Sequence, residues 1–320
     1  MVLKAPSVNN FRHNEQHPTT MLQLKTASAE ALCNMRIRKD FPPEWKTVDE
    51  LEKATDTIVE LFLNERFEVS KSLGPGFLIP ELIDRSIRTD DQEIMDNPAV
   101  ASGEKLAMIR SLDRLNSMMM IYPHHIDLIE PFVRTVAAKK KRPATILELA
   151  GGAGGLALAL AEEIKKGNLH AEIKGSDIIA EYVDAANEAA EKNNLPATFS
   201  LIDALTSDHA GDTEVDIILI SQSLHHFTPG QIAVMIEKSR SWGASFFLAL
   251  DGHRSPELLC GVPLMAMLQG KKNFMLDGYT SARKFYSEAE LQIIAETATR
   301  KSNYSITFSW PLTVLSVAFG

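Results

Sequence analysis

Residues 145–156 read TILELAGGAGGL, and the fold follows from this stretch. Ile146, Leu147, Leu149 and Ala150 suit a buried strand with one acid among them, Glu148, and the strand runs into a glycine cluster that opens an apolar helix. Gly152 and Gly154 let the main chain pass close to a ligand where a Cβ would collide, and the helix N-terminus behind them offers unpaired N–H groups. This is a nucleotide-type binding turn. A carboxylate at the end of its strand sits badly beside a pyrophosphate and well beside a ligand that carries positive charge.

Downstream, strands alternate with helices. Strands are expected at 145–150, 171–176, 197–202, 215–220 and 244–250, with helices from 154 to about 166, over 180–193 and from Thr228 to about Arg240. Thr228-Pro229-Gly230-Gln231 is a capping box with proline at N1. Such alternation predicts a parallel sheet with helices on both faces and ligands beyond the carboxyl ends of its strands. After residue 250 the spacing breaks. Residues 252–285 are expected to form an insertion at that edge, placed to act as a lid: an apolar helix over 256–268 behind Ser255, then a turn and loop. Ser287 and Glu290 cap a helix to about Thr299, and strands 303–309 and 312–319, separated by Trp310-Pro311, form an antiparallel pair.

Upstream, residues 1–143 read as mostly helical. The polar segment 1–20 is expected to be poorly ordered. A short helix over 20–35 must end by Phe41-Pro42-Pro43. Thr47 and Glu50 make a capping box for a helix through Leu51, Ala54, Ile58, Leu61 and Phe62, and Gly74-Pro75-Gly76 stops it. Ser102 opens another through Leu106, Ile109, Leu112, Leu115 and Met119, and a last one runs from about His124 to Lys139. The cations Lys139, Lys140, Lys141 and Arg142 fit a helix C-terminus, and Met118, Met119 and Met120 read as core filler. His124-His125 has only Asp127 near it at ligand spacing, so it reads as a helix start and no metal site is expected.

Lys and Arg number 33 against 42 Asp and Glu. Residues 1–143 hold 20 basic and 21 acidic residues, whereas residues 144–320 hold 13 and 21. The part that carries the binding turn is the acidic part, the wrong sign for tracking phosphates, so nucleic acid is not an expected partner. Two cysteines, Cys33 and Cys260, make no disulfide framework and suit a reducing compartment. No apolar run approaches a membrane span and no secretory signal opens the chain, so a cytoplasmic location is expected.

In order and spacing, the motifs of residues 101–320 resemble those of the class I S-adenosylmethionine-dependent methyltransferases, leaving 1–100 as an N-terminal helical extension. The resemblance implies an α/β fold with a Rossmann-like seven-stranded sheet whose last strand is antiparallel. It implies S-adenosyl-L-methionine as cofactor, held by Glu148, Ala150, Gly151, Gly152 and Gly154, where Ala150 departs from the commoner glycine. The second acid falls at Asp177, followed by Ile178, 23 residues past Gly154, where it accepts from the ribose hydroxyls. Asp203, with Ala204, takes the place of the acid that meets the adenine amine, and Ser221 opens the segment SQSLHHF that borders the methyl donor. In that segment either His225 or His226 borders the acceptor and takes its proton. EIMDNP at 93–98, Arg114-Leu115-Asn116, Asp251-Gly252-His253-Arg254-Ser255 and Arg283-Lys284-Phe285-Tyr286 resemble enzymes acting on quinones and polyketide-like phenols. They imply a small lipophilic or aromatic acceptor methylated on oxygen or carbon, in contact with Arg254, Met265 and Tyr286, with Asp251 and Arg254 as an ion pair the other reading of that stretch.

Two further readings compete. Residues 152–157 fit the G-x-G-x-x-A fingerprint of an NAD(P)-dependent oxidoreductase, with Asp177 as the ribose acid. Glu148, the acid after the third strand and the lack of an evident Tyr-x-x-x-Lys pair stand against it. The other is a non-catalytic module that binds a partner through its N-terminal helices, and the same helices are the candidate surface for a homodimer.

Overall fold

The computed structural model describes residues 22–206, 214–270, 272–300 and 303–320; the expectation for residues 1–20 lies outside them. The strand that leads into the glycine turn is β1 (Ala144–Leu149), and all six of its residues are buried, as befits a strand covered on both faces. It lies inside a seven-stranded sheet formed with β2 (Ala171–Asp177), β3 (Ala197–Leu201), β4 (Ile217–Ser221), β5 (Phe246–Gly252), β6 (Tyr304–Ser309) and β7 (Leu312–Ala318). Among the described residues the strand order is β3-β2-β1-β4-β5-β7-β6. The first five strands are parallel, and β7 pairs antiparallel with both β5 and β6. The order reverses between β1 and β4, which places a crevice at their carboxyl ends.

Alternate side chains of these strands feed two cores. Leu147, Leu149, Ile218, Ile220, Phe247 and Ala249 face α8 (Pro229–Ser241), α11 (Glu288–Thr299), α1 (Leu22–Arg38) and α2 (Val48–Leu73). Ile146, Ile217, Leu219, Phe246 and Leu248 face α5 (Ile121–Lys140), α6 (Gly155–Lys165) and α7 (Ala180–Lys192). The first two helices therefore complete a core of the sheet. The capping boxes expected at Thr228/Gln231 and Ser287/Glu290 both form. At Thr47 the hydroxyl accepts from Glu50 N as expected, while the Glu50 carboxylate reaches Lys46 N, one residue earlier than a capping box requires.

Two helices stand where none was expected. Gly74, at φ +96°, does end α2, but Pro75 begins α3 (Pro75–Ile87) at once, because its fixed φ suits the first turn of a helix. Residues 272–284 form α10 (Lys272–Lys284) in place of a loop. Gly278 is a packing position there: a Cβ would stand 3.2 Å from Val262 and 3.4 Å from Ala266 of α9 (Pro256–Met267). Between α3 and α4 (Ser102–Met118), a single 3₁₀ turn spans Ile94–Asp96.

A buried ionic cluster joins α2 and α3 to the sheet domain. Arg66 meets Glu81 at 2.7 Å and Asp84 at 2.6 Å; Arg88 meets Asp84 at 3.0 Å and Glu290 at 2.6 Å; Arg254 meets Asp84 at 2.7 Å. The surrounding guanidinium groups outweigh burial and hold the Asp84 carboxyl below its usual range, and Glu290 is held at about 2 in the same way. Among the described residues, no helix is long and apolar enough to cross a membrane.

Candidate active site

At the end of β1 the backbone turns through positive φ at Ala150 (51°), Gly152 (57°) and Gly154 (80°). Ala150 tolerates this conformation only because the flanking strands dictate the path; Gly152 and Gly154 adopt it without a Cβ penalty. The turn is fixed by its neighbours' polar groups. Gly151 N donates to Ser176 O at 2.8 Å, Gly152 N to Asp177 Oδ2 at 2.8 Å, and Ser223 Oγ to Ala150 O at 3.1 Å. Ile179 N donates to the other Asp177 oxygen at 2.9 Å. Burial raises the Asp177 carboxyl and these N–H groups oppose the rise. Asp177 thus spans the glycine turn and the head of α7, at the carboxyl end of β2.

Glu148 lies beneath the same turn. Its Oε2 is buried without a hydrogen-bond partner, and a Cβ on Gly151 would stand 3.0 Å from that atom. Burial pushes the carboxyl up to about 8, with the Ala157 N–H opposing. A buried oxygen of this kind, at a turn shaped for close approach, fits a ligand with a cationic group.

Helix α4 lies over the turn, a cover that sequence reading did not assign. Ile109 lies against Gly152, and a Cβ on Gly155 would collide with Tyr122 Oη and Asp113 Oδ1. Tyr122 donates to Asp113 at 2.7 Å, and Asn116 and Gln222 exchange amide hydrogen bonds at 2.6 and 3.3 Å. Gln222 sits at φ +54° directly after β4. These groups gather around the glycine turn from 40 residues upstream and 70 downstream, and the one sequence signal was the Arg114-Leu115-Asn116 stretch.

Of the other residues assigned to the cofactor, Ser221 closes β4 and Ala204 is buried beside the crevice, while Ile178 is largely exposed after β2. Asp203 is used locally: its carboxylate accepts from Leu205 N at 2.8 Å and from the Thr206 hydroxyl at 2.8 Å, which steadies the loop after β3.

The two histidines end up on different carboxylates. His225 N and Nδ1 both approach Asp251 Oδ2, at 2.9 and 2.8 Å, while Gly252 N donates to Asp251 Oδ1 at 2.7 Å. Burial would raise Asp251, but the His225 ring and these N–H groups win and keep it an anion. An anionic acceptor at Nδ1 keeps a proton there and turns Nε2 toward Glu93. His226 Nδ1 meets Asp96 Oδ2 at 2.8 Å. Burial alone would lower His226, but Asp96 and Glu93 outweigh it and push it up to about 9.

Both rings look toward Glu93: His225 Nε2 is 3.6 Å from Oε1 and His226 Nε2 is 3.8 Å from Oε2. Ser281 Oγ donates to Glu93 Oε2 at 2.9 Å. Asp277 of α10 accepts from Ile94 N at 2.6 Å and Met95 N at 3.0 Å, which pins the turn that carries Glu93 and Asp96 to the 252–285 segment. Burial raises the Asp277 carboxyl to about 6, against those two N–H groups. Beside this cluster, Met108, Ala266 and Phe274 form a small apolar core with Met95, Leu112 and Met275 packed on it.

Three substrate expectations meet this geometry differently. Arg254 does not pair with Asp251: it donates to Asp84 Oδ1 and O, Arg283 O and Phe285 O. It lines a cavity of about 490 Å³ with Ile83, Leu259 and Ile306, and His225 is not part of that wall. Tyr286 spends its hydroxyl on Phe227 O at 2.6 Å. Met265 is half-buried on α9. The missed residues, Glu93, Asp96 and Asp277, lay in or beside quoted motifs, but only the fold brings them to the histidines.

Residues 146–242 match the family model described as a methyltransferase domain. No curated protein sequence matches the chain. Among solved structures the chain is similar in fold to the plantazolicin methyltransferase BpumL in complex with SAH, at 14% identity and TM-score 0.50 over 69% of this chain and 92% of that one. It is similarly related to BpumL bound to a monoazolic desmethylPZN analog and SAH, at 14% identity and TM-score 0.51 over 68% and 91%.

Proposed function

We propose that this chain, which carries a methyltransferase domain over residues 146–242 and the fold of its solved neighbours, transfers the methyl group of S-adenosylmethionine to a small lipophilic or aromatic molecule, on oxygen or carbon, beside His225. The observation that carries the reading is the orientation of His225, whose Nδ1 is held by a buried Asp251 and whose Nε2 has no hydrogen-bond partner. When bound, S-adenosylmethionine supplies a methyl group already activated on a sulfonium. Gly152, Gly154 and Asp177 hold the cofactor at the carboxyl ends of β1 and β2, with Glu148 beneath and Asn116, Tyr122 and Gln222 beside the turn. His225 takes the proton of the acceptor heteroatom or carbon at Nε2, and Asp251 stabilises the imidazolium that forms. His226, held by Asp96, borders the same space. The 252–285 lid keeps water out with Met265, Ala266 and Phe274, so that most of the acceleration comes from holding the acceptor in a dry, oriented site, worth up to about 7–11 kcal/mol.

The apolar cover over an acidic, histidine-containing floor supports a neutral, ring-bearing acceptor with one ionisable group. The test is a methyl-transfer assay with radiolabelled cofactor against a panel of phenols, quinols and small heteroaromatics, with the oxygen- and carbon-methylated products separated. Transfer to phenols or quinols that collapses in His225→Asn is the expected result. Transfer only to a peptide amine, or transfer indifferent to His225, would overturn the reading.

A further inference from the structure

Two imidazoles and one carboxylate converge in a way that proton transfer by a single base leaves unexplained. Among the described residues, Glu93, His225 and His226 place one ligand-type atom each within 4.8 Å of one another, two of the residues buried and the third partly so. They come from positions far apart in sequence, Glu93 from the turn before Ile94–Asp96 and the histidines from the turn Leu224–His226 after β4. We propose that Glu93, His225 and His226 form the binding site of one divalent first-row transition-metal ion, of the zinc, cobalt or iron(II) type.

Three observations carry this. Each histidine is oriented by a carboxylate on Nδ1, Asp251 for His225 and Asp96 for His226, both at 2.8 Å. That is the arrangement which fixes a metal-ligating imidazole with Nε2 forward and raises its basicity. Next, His225 Nε2 and Glu93 Oε1 are both buried without a hydrogen-bond partner, although they face each other at 3.6 Å. Two buried orphan atoms at that distance are too far apart to bond directly. Donors on one zinc-type ion stand about 3–3.5 Å apart, given bonds of about 2.0–2.2 Å, so the His225–Glu93 pair is already near that spacing and the whole set, now within 4.8 Å, closes around the ion. The Glu93 oxygens are themselves steadied, with Ser281 Oγ on Oε2, as ligating carboxylates commonly are.

The charge of the pocket has the same sense. Glu93, Asp96 and Asp251 surround the two rings, and among the described residues Lys284 adds a cation, with Nζ 3.7 Å from Glu93 Oε1. Two imidazole nitrogens and a carboxylate suit first-row divalent ions and leave positions open for substrate, whereas magnesium and calcium take oxygen sets. This inference goes beyond the reading of His225 as a base and gives the same ring an alternative role. An ion on His225 Nε2 occupies the lone pair that takes the acceptor's proton, so the metal-loaded and the base states exclude each other.

The test uses the full chain, stripped with a chelator and dialysed, then titrated with Co²⁺ while the visible ligand-field absorption is followed, and with Zn²⁺ by calorimetry. The expected result is saturation at one ion per chain. Glu93→Gln and His226→Gln should each weaken Zn²⁺ by at least tenfold, and Asp96→Asn by about 10–100-fold. Each sample is also titrated with S-adenosylhomocysteine, which reports an intact fold and cofactor site independently of the metal. Intact S-adenosylhomocysteine binding without saturable Co²⁺ uptake, or uptake unchanged in both Glu93→Gln and His226→Gln, overturns the metal site and leaves the methyltransferase reading standing. Absence of S-adenosylhomocysteine binding by the wild-type chain strikes that reading instead.

Discussion

The two ends of the crevice are held by different kinds of bond. At the cofactor end, the glycine turn is pinned chiefly through main-chain groups at the tips of neighbouring strands, with Gly152 N on Asp177 and Gly151 N on Ser176 O. At the other end, side-chain pairs set the rings, Asp251 on His225 and Asp96 on His226, while Asp277 accepts from the main-chain N–H groups of Ile94 and Met95 and so pins the turn that carries Glu93. A turn gripped by its main chain tolerates changes in its own side chains, provided Asp177 and Ser223 stay in place. Side-chain pairs drawn from distant stretches of the chain can be retuned one residue at a time, as the acceptor role proposed for this end requires.

That contrast can be broken most directly at His225. His225→Asn should lower kcat by about 10²–10⁴-fold while S-adenosylhomocysteine affinity, read by calorimetry, stays within a few-fold. A parallel collapse of cofactor binding would show that the two ends are one framework. Next in size is the ionic cluster that joins the extension to β5. Arg254→Ala leaves Asp84 with one fewer cation and should lower unfolding stability by about 3–5 kcal/mol in a denaturant titration, because it strips one partner from a buried set. A loss under 1 kcal/mol would mean that Arg66 and Arg88 suffice.

Asp177→Ala should weaken S-adenosylhomocysteine more than tenfold, about 1.4 kcal/mol or more, since it removes both a ligand acceptor and the brace of the turn. Unchanged affinity would assign the turn's rigidity to Ser176 and Ser223 alone. The smallest effect sharpens the cofactor end by protons. Glu148 is protonated in the free protein up to about pH 8, and a cationic ligand group favours its carboxylate. Its pKa is then lower in the complex than in the free protein, so binding near pH 7 releases a fraction of a proton and affinity rises with pH between the two values. Binding enthalpies in buffers of different ionisation enthalpy should differ accordingly, and the difference should vanish in Glu148→Gln.

What was legible in the sequence follows the same division. β1, the turn and Asp177 lie within a short run of chain, and hydrophobic spacing with glycine placement was enough to set their order and the parallel sheet. The helices at 75–87 and 272–284 were hidden because Pro75, Pro80 and Gly278 are breakers by composition, while Pro75 is favourable at a first helical turn and Gly278 is required by the packing of α9 on α10. The acceptor end was hidden for a topological reason. EIMDNP and Asp251 stood out as stretches, but the pairing of Asp96 with His226 spans 130 residues, and no local pattern encodes a meeting at that range. Arg254 meets the same limit: its partner Asp84 lies 170 residues upstream, beyond the stretch in which Asp251 was its candidate partner.

The two hydrogen bonds from Ile94 N and Met95 N to Asp277 have a consequence for timing. Swinging α10 away from the sheet must surrender both, and the turn that holds Glu93 and Asp96 then loses its anchor in the same movement. Any opening at α10 would therefore unseat the carboxylate that holds His226 at the same moment.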